Sequence, residues 1–174
     1  MQALNKKVDF EQLMLPHLDA AFNLARWLTQ NNQDAEDMVQ EAYLRAFKSF
    51  GTFHGVESRA WLLTIVRNTC YSWLQRNQRL GEQTTFDDEM DSADCDGPNA
   101  EKLLMEQADH EILHEALNAL PMEFREAFVL RELEDMAYKE IAQITRVPLG
   151  TVMSRLARAR KRLQQRLAKR MNGA

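Results

Sequence analysis

Apolar side chains recur every three or four residues over most of the 174-residue chain. This spacing is typical of α-helices that bury one face, whereas the strict alternation of a half-buried strand is almost absent. Six glycines and four prolines separate the periodic stretches. The pattern predicts an all-α protein whose helices cover approximately residues 16–30, 34–48, 58–79, 108–120, 138–144 and 150–169, with one further helix starting at residue 121.

Charge is distributed unevenly along the chain. The net formal charge is −4 overall, but it is +1 for residues 1–80, −8 for residues 81–108 and +3 for residues 109–174. The stretch from Gly81 to Pro98 is acidic and has little to bury, which is typical of a linker. We therefore predict two small helical domains, residues 1–80 and 109–174, joined by a flexible acidic linker, residues 81–108. Each domain has a modest core, so we expect each to be only marginally stable alone.

The C-terminal segment is the most basic part of the chain. Residues 141–174 contain nine Lys or Arg and no Asp or Glu. Its predicted helix has one apolar stripe, formed by Val152, Leu156, Ala159, Leu163 and Leu167. The side chains that point away from this stripe or lie on its border are Thr151, Ser154, Arg155, Arg158, Lys161 and Arg162. A basic helix behind a short helix and a tight turn can enter a DNA groove and contact phosphates or base edges. The alternative is a solvated basic helix, which the helix dipole favours at a C-terminus.

The same region resembles a known DNA-binding domain. The stretch Leu120-Pro-Met-Glu-Phe-Arg-Glu-Ala-Phe-Val-Leu-Arg-Glu-Leu-Glu, with Tyr138-Lys-Glu-Ile-Ala and Val147-Pro-Leu-Gly-Thr-Val-Met-Ser-Arg-Leu, resembles domain four of bacterial sigma factors. It is most similar to the small extracytoplasmic-function (ECF) group of the sigma-70 family. The resemblance implies a helix-turn-helix whose last helix recognises the promoter −35 element. The residues predicted to contact that DNA are Arg146, Thr151, Ser154, Arg155, Arg158, Lys161 and Arg162.

Three positions depart from the pattern of this family. Met153 stands where Lys or Arg is usual, which puts one DNA contact in doubt. Arg146 stands where Gly is frequent, and a left-handed turn costs a non-glycine residue about 1 kcal/mol; a phosphate contact would offset part of that cost. Ala137 stands where Ser or Thr usually caps the short helix, and the missing cap costs about 1 kcal/mol.

The predicted helix 34–48 has an acidic and amide-bearing face opposite its apolar face. Asp34 is a candidate N-cap, and Leu44 is expected to be exposed at the centre of the polar face. Such a face suits docking on a basic protein helix. The alternative is that the acids only stabilise the helix, because acidic residues are favoured in a first helical turn. The segment Asp34-Ala-Glu-Asp-Met-Val-Gln-Glu-Ala-Tyr-Leu-Arg-Ala-Phe resembles the one with which sigma factors bind the β′ clamp coiled coil of RNA polymerase. The predicted polymerase-binding residues are Asp34, Asp37, Gln40, Glu41 and Leu44.

The segment from Gly51 to Asn68 and the helix that follows suggest a second DNA contact. A polar face of that helix carries side chains suited to base stacking and to base-edge hydrogen bonds. In similar sigma factors, the loop before this helix holds a flipped base of the −10 element, and Phe53 and Asn68 match its pocket. The predicted −10 residues are Phe53, Arg67, Asn68, Tyr71, Gln75 and Arg76. A loop aromatic folded onto the core remains the alternative for Phe53, and solvation is the alternative for Arg76. Trp27, Trp61 and Trp73 are predicted to be core residues.

The chain shows no motif of an enzyme, such as a Gly-rich phosphate loop, a nucleophile elbow or HExxH. His110 and His114 have the i, i+4 spacing of a metal pair, but without an evident third ligand we expect a solvated surface pair. Cys70 and Cys95 are expected to be inert thiols. We predict no catalytic residue, no metal and no cofactor. No apolar run of membrane-spanning length or secretory leader is visible, so we expect no membrane insertion and a cytoplasmic location.

These features together predict a promoter-specificity factor that directs transcription at −35/−10 promoters. The resemblance implies three kinds of partner: core RNA polymerase, through its β′ clamp coiled coil and β flap; promoter DNA; and an anti-sigma factor, by which relatives are commonly held. A dimeric helix-turn-helix regulator of operator DNA is the first alternative. A basic amphipathic helix on a membrane is the second, and the small Ala157 and Ala159 argue against it.

Overall fold

The computed structural model describes residues 1–80 and 100–173, with side chains described for residues 1–78 and 109–173. Every regular element within these ranges is helical, which confirms the predicted all-α class. The α-helices are α1 (Gln2–Met14), α2 (Leu18–Thr29), α3 (Asn32–Ser49), α4 (Ser58–Leu80), α5 (Ala100–Asn118), α6 (Met122–Phe128), α7 (Tyr138–Thr145) and α8 (Leu149–Asn172). Short 3-10 turns occupy Leu15–His17 and Phe50–Thr52, and the π-helical turn Val129–Leu133 extends α6.

The structure differs from the sequence-based expectations at several helix ends. Helix α1 was not predicted. Helix α5 begins at Ala100, so residues 100–108, which we assigned to the linker, are helical; the rest of the predicted linker, residues 81–99, lies outside the described residues. Helix α3 is capped by Asn31 rather than Asp34: the Asn31 side-chain oxygen accepts a hydrogen bond from the Asp34 backbone N–H at 3.0 Å. Asn31 takes this role because its backbone is extended, as an N-cap requires.

The N-terminal half is a bundle in which α2, α3 and α4 pack against one another. Its core contains Leu24, Ala42, Leu62 and Val66, all of which are buried. Helix α1 is held on this bundle by Phe10, whose ring packs edge-on against three aromatic rings, those of Tyr43, Phe47 and Phe50. Aromatic pairs in this geometry stabilise beyond their buried area. The Tyr43 hydroxyl also donates a hydrogen bond to the Met14 carbonyl at 2.7 Å.

The C-terminal half is built around α8. Its predicted apolar stripe is confirmed, because Val152, Leu156, Ala159 and Leu163 are buried and Leu167 packs against them. Helix α7 and the start of α8 form the predicted helix-turn-helix. In the turn, Arg146 has the left-handed conformation that we expected (φ 55°, ψ 43°), and its N–H donates to the Ala142 carbonyl.

The two halves pack directly on each other. Trp27 of α2 belongs to the hydrophobic cluster of the C-terminal half, with Leu117, Leu120, Phe124 and Val129. Helix α4 packs against α7, and the larger hydrophobic cluster contains residues of both halves. The two predicted helical regions are present, and apolar side chains of each contribute to clusters that the two regions share.

Candidate polymerase and DNA interfaces

The outer face of α8 is accessible along most of its length. Arg158, Lys161 and Arg162 are exposed, whereas Arg155 is half-buried at the border of the apolar stripe, as its helical position predicts. Near the start of the helix, the Ser154 hydroxyl donates to the Thr151 carbonyl at 3.0 Å. The Arg162 guanidinium lies 5.1 Å from the centre of the Phe124 ring, which orients this side chain across the helix surface. The face thus presents hydroxyls and cations, which are side-chain types that can contact phosphates and base edges.

The outer face of α3 is also accessible. Leu44 keeps 63% of its surface exposed, and Asp37 and Gln40 are exposed. Glu41 forms an ion pair with Arg45 one turn later in the helix. Burial, followed by the nearby charge of Asp37, raises the pKa of Asp34 above its ordinary value. An exposed leucine among acids and amides is an apolar anchor with a polar rim, which is the usual composition of a protein-binding patch.

The polar face of α4 is partly covered by the C-terminal half. Both nitrogens Nε and Nη2 of Arg67 donate to the Glu126 carboxylate, and the Tyr71 hydroxyl donates to Glu126 Oε2 at 2.7 Å. The Arg67 guanidinium also lies 4.1 Å from the centre of the Tyr71 ring. Asn68 is half-buried, whereas Gln75 and Arg76 are exposed. Two of the six predicted −10 residues are therefore engaged by the other half of the same chain.

Phe53 lies against the core of the N-terminal half. Its ring stacks on Phe50 with a centroid distance of 6.0 Å and packs against Trp61 at 5.1 Å. This arrangement is the alternative that we considered for a loop aromatic. The predicted core positions of the three tryptophans are confirmed, because Trp27 is buried and Trp61 and Trp73 pack against the core.

Glu126 sits in the most polar part of the contact between the halves, with 0% of its surface exposed. Burial raises its pKa, whereas Arg67, Tyr71 and Arg155 oppose that rise because they favour the charged carboxylate. Burial also lowers the pKa of the neighbouring Arg125. The Nε atom of Arg125 is buried without a hydrogen-bond partner among the described residues, although Nη1 donates to the Asn118 carbonyl at 3.4 Å.

Comparison with known proteins identifies the family. The model of Sigma-70 region 2 matches residues 13–80, and that of Sigma-70 region 4 matches residues 110–163. The RNA polymerase sigma-H factor of Pseudomonas aeruginosa is 30% identical over 165 residues, which are 91% of this chain and 86% of that protein. The chain belongs to the sigma-70 family.

The sigma factor is similar to members of the ECF group. The ECF RNA polymerase sigma factor SigE of Mycolicibacterium smegmatis is 34% identical over 160 residues, which are 92% of this chain. This chain spans 62% of the length of that relative. Among solved structures, the sigma factor RpoE of Bartonella quintana, in complex with the anti-sigma factor NepR, matches with a TM-score of 0.73 and 29% identity. The match covers 92% of this chain and 97% of RpoE.

The three departures from the family pattern are visible in the sigma factor. Met153 is 52% exposed on the face of α8 that carries the predicted DNA contacts. Arg146 is exposed in its left-handed turn. Ala137 is the N-cap of α7 and provides no side-chain hydrogen bond to the first turn. The energetic penalties expected at Arg146 and Ala137 therefore have a structural basis.

The histidine pair differs from our expectation of a solvated surface pair. His110 is exposed, but the His114 ring is half-buried at 4.8 Å from the Trp27 ring, and its Nδ1 lies 3.1 Å from Asn118 Nδ2. His114 thus belongs to the contact between the two halves. In the described part of the sigma factor, no group of three or more His, Cys, Asp or Glu residues could hold a metal ion. A search of the same residues finds no helix that could cross a membrane.

The residues that sequence reasoning missed are those that join the halves of the sigma factor. Besides Glu126, they include Arg59, which donates to the Glu134 carbonyl at 3.2 Å and lies 3.7 Å from a Glu140 carboxylate oxygen. Asn23 donates to the Glu134 carboxylate at 3.0 Å. Partners this far apart in the chain leave no periodic signal. The only sign in the sequence is that Glu126 lies at helical spacing from the apolar residues Met122, Val129 and Leu130.

Proposed function

We propose that this sigma factor binds core RNA polymerase through α3 and directs initiation at −35/−10 promoters. The observation that supports this best is the outer face of α8, where Arg158, Lys161 and Arg162 are exposed behind a tight helix-turn-helix. Residues 1–80 would form the domain for polymerase docking and the −10 element, and residues 109–174 the domain for the −35 element. The chain would bind polymerase and promoter DNA and position one on the other, without catalysing a reaction itself. It would act in the cytoplasm.

Direct DNA contacts are proposed for the side chains that the sequence singled out. On α8 and its turn these are Arg146, Thr151, Ser154, Arg155, Arg158, Lys161 and Arg162. On α4 and the preceding loop they are Phe53, Arg67, Asn68, Tyr71, Gln75 and Arg76. Arg and hydroxyl groups suit the duplex, whereas aromatic and amide groups suit unstacked bases.

We also propose control by a separate anti-sigma factor. Support comes from the solved relative RpoE, which is in complex with the anti-sigma factor NepR. On polymerase, α3 would bind the β′ clamp coiled coil, and the C-terminal half would bind the β flap. A dimeric operator-binding regulator is less well supported, because the match to Sigma-70 region 2 covers residues 13–80, where such a regulator would need a different domain.

Run-off transcription with core polymerase, on a pool of genomic fragments, tests this function. The wild-type chain should give discrete transcripts that core polymerase alone does not give. Glu41→Lys should abolish polymerase binding, because it reverses a charge in the docking face; the lost ion pair with Arg45 is exposed and contributes little to stability. Asp9→Lys, a charge reversal at an exposed position of α1, is the matched control. Wild-type affinity of the Glu41→Lys variant would refute the docking assignment.

A further inference from the structure

The side chain of Met153 is exposed on the second turn of α8, although it is apolar. It keeps 52% of its surface accessible, whereas Val152 and Leu156 of the apolar stripe are buried. Single exposed apolar side chains are common on protein surfaces, so exposure by itself does not indicate a function. The position of Met153 is more informative, because the first turns of the second helix in a helix-turn-helix are the part that reaches base edges.

The two flanks of the outer face of α8 differ in chemistry. At about 100° per residue, Ser154 lies near the middle of this face. One flank bears a hydroxyl group and exposed cations, those of Thr151, Arg158 and Arg162. The other flank carries Met153, followed one turn later by the exposed Ala157. The helix therefore presents polar and charged groups on one side and an apolar side chain on the other.

The next cation on the Met153 side is already paired within the chain. Arg160 lies two turns after Met153, and its guanidinium donates two hydrogen bonds to the Glu132 carboxylate, at 2.6 and 3.2 Å. At position 153 itself, the family usually has Lys or Arg, which can bind a phosphate. A thioether carries no charge and is only a weak hydrogen-bond acceptor. This flank therefore suits an apolar group of the DNA better than an anionic one.

Gly150 keeps the approach to Met153 open. It lies one turn before Met153, it does not have a positive φ, and a Cβ atom there would meet no heavy atom within 4 Å. Neither backbone strain nor crowding within the chain thus requires glycine, although glycine is less favourable than alanine in a helix. Glycine at such a position is useful where the helix backbone comes close to a ligand.

Thymine presents the apolar group that fits this flank. In the major groove its C5-methyl group packs against apolar side chains, whereas the other groups of the base edges donate or accept hydrogen bonds. The methionine side chain is unbranched and polarizable, so it adapts its shape to such a contact. Removing one methyl group from water should strengthen binding about fourfold.

We propose that Met153 is a specificity-determining residue whose side chain packs on the C5-methyl group of a thymine in the −35 element. The inference deepens the proposed function and rests on it, because it assumes that α8 lies in the major groove of that element. Met153 then favours a T·A pair at one position, where the cations of the other flank contribute affinity without this preference.

Exchange of thymine for uracil is the direct test, because it removes the methyl group and keeps the base pairing. A promoter found by run-off transcription is prepared with thymine or with uracil in its −35 element, on templates that give transcripts of different length. Both templates compete for limiting holoenzyme, and the ratio of the transcripts gives the relative promoter affinity. We expect wild-type holoenzyme to use the uracil template about fourfold less. Uracil placed at one thymine at a time should locate this loss at a single position.

Met153→Ala is the decisive variant. Alanine does not reach the methyl group, so holoenzyme with this variant should use the two templates equally. The variant should fold, because the side chain is exposed and alanine favours a helix; circular dichroism checks this. Met171→Ala is the matched control, since it removes a methionine that is 83% exposed at the end of the same helix, and it should keep the preference for thymine. Met153→Leu, with an apolar side chain of similar size, should keep most of it.

Three results would overturn the inference: a −35 element without thymine, equal use of both templates by the wild-type holoenzyme, or a wild-type preference in Met153→Ala. In each of these cases the wild-type chain still gives transcripts, so the proposed function stands. If the wild-type chain gives no transcripts with core polymerase, the proposed function fails, and this inference fails with it.

Discussion

Helices α3 and α4 are neighbours in the same bundle, and each presents a polar face that sequence reasoning assigned to binding. The α3 face carries Asp37, Gln40 and Leu44 into solvent. The α4 face instead directs Arg67 and Tyr71 to a carboxylate of the other half. The comparison shows that the polarity of a face does not reveal whether it is free. In this sigma factor, the α3 face is open, whereas part of the α4 face is covered by the C-terminal half.

The largest expected effect lies on the open face. Leu44→Arg should lower the affinity for core polymerase by about 100-fold, because central apolar anchors of an interface contribute most to binding. Leu4→Arg, at another exposed leucine of the N-terminal half, is the control for the added charge. Titration of each labelled variant with core polymerase measures its affinity. Equal affinities of the Leu44→Arg and Leu4→Arg variants would show that α3 is not part of the docking surface.

The second effect lies on the covered face and concerns stability. Arg67→Ala leaves Glu126 buried without its counter-charge and should lower the free energy of unfolding by about 3 kcal/mol. Arg160→Ala breaks the exposed pair with Glu132 and should cost less than about 1 kcal/mol. Urea denaturation of both variants makes the comparison. Similar losses would indicate that the Arg67–Glu126 pair contributes no more than an ordinary surface pair.

The outer face of α8 resembles that of α3 in being exposed, so its DNA contacts should be measurable on the free chain. Arg158→Ala should weaken binding to −35 duplex by about tenfold, as expected for one good contact to a base or phosphate. Met153→Lys should strengthen binding and make the salt dependence steeper, by a slope of about −0.9 for one new phosphate contact. Fluorescence anisotropy at several salt concentrations tests both changes. An unchanged slope for Met153→Lys would place residue 153 away from the DNA backbone.

The smallest effect is expected in the turn before α8. Arg146→Gly removes the left-handed backbone strain of a non-glycine residue, which costs about 1 kcal/mol of folding free energy. Part of this stabilisation is lost again, because glycine has more conformational entropy in the unfolded chain. We expect a slightly higher melting temperature and, at low salt, slightly weaker binding to duplex DNA through the lost cation. Calorimetry and anisotropy report the two quantities separately. A lower melting temperature would mean that Arg146 stabilises the turn by more than its strain costs.

The sequence predicted the faces that helical periodicity determines. Leu44 is exposed and Leu156 is buried because each lies at a defined angle on a long, regular helix. Helix α1 escaped prediction because it buries only Phe10 and Met14, too few positions for a clear period. The start of α5 at Ala100 was masked by the acidic composition around it.

The contact between the halves could not be predicted from the sequence. Trp27 was recognised as a core residue, but periodicity does not say which core it joins. Glu126 was harder still, since a fully buried carboxylate is rare and its partners lie 55 and 59 positions away in the chain. Such a site depends on tertiary packing alone, and only the folded chain reveals it.

The position of Trp27 limits how such proteins can be recombined. Its indole belongs to the first bundle (the N-terminal half) but packs in the hydrophobic cluster of the second bundle (the C-terminal half). A chimera that joins the second bundle of this chain to the first bundle of another sigma factor must therefore supply a matching ring, or it leaves a void. In this chain the two halves therefore fit each other through one aromatic ring.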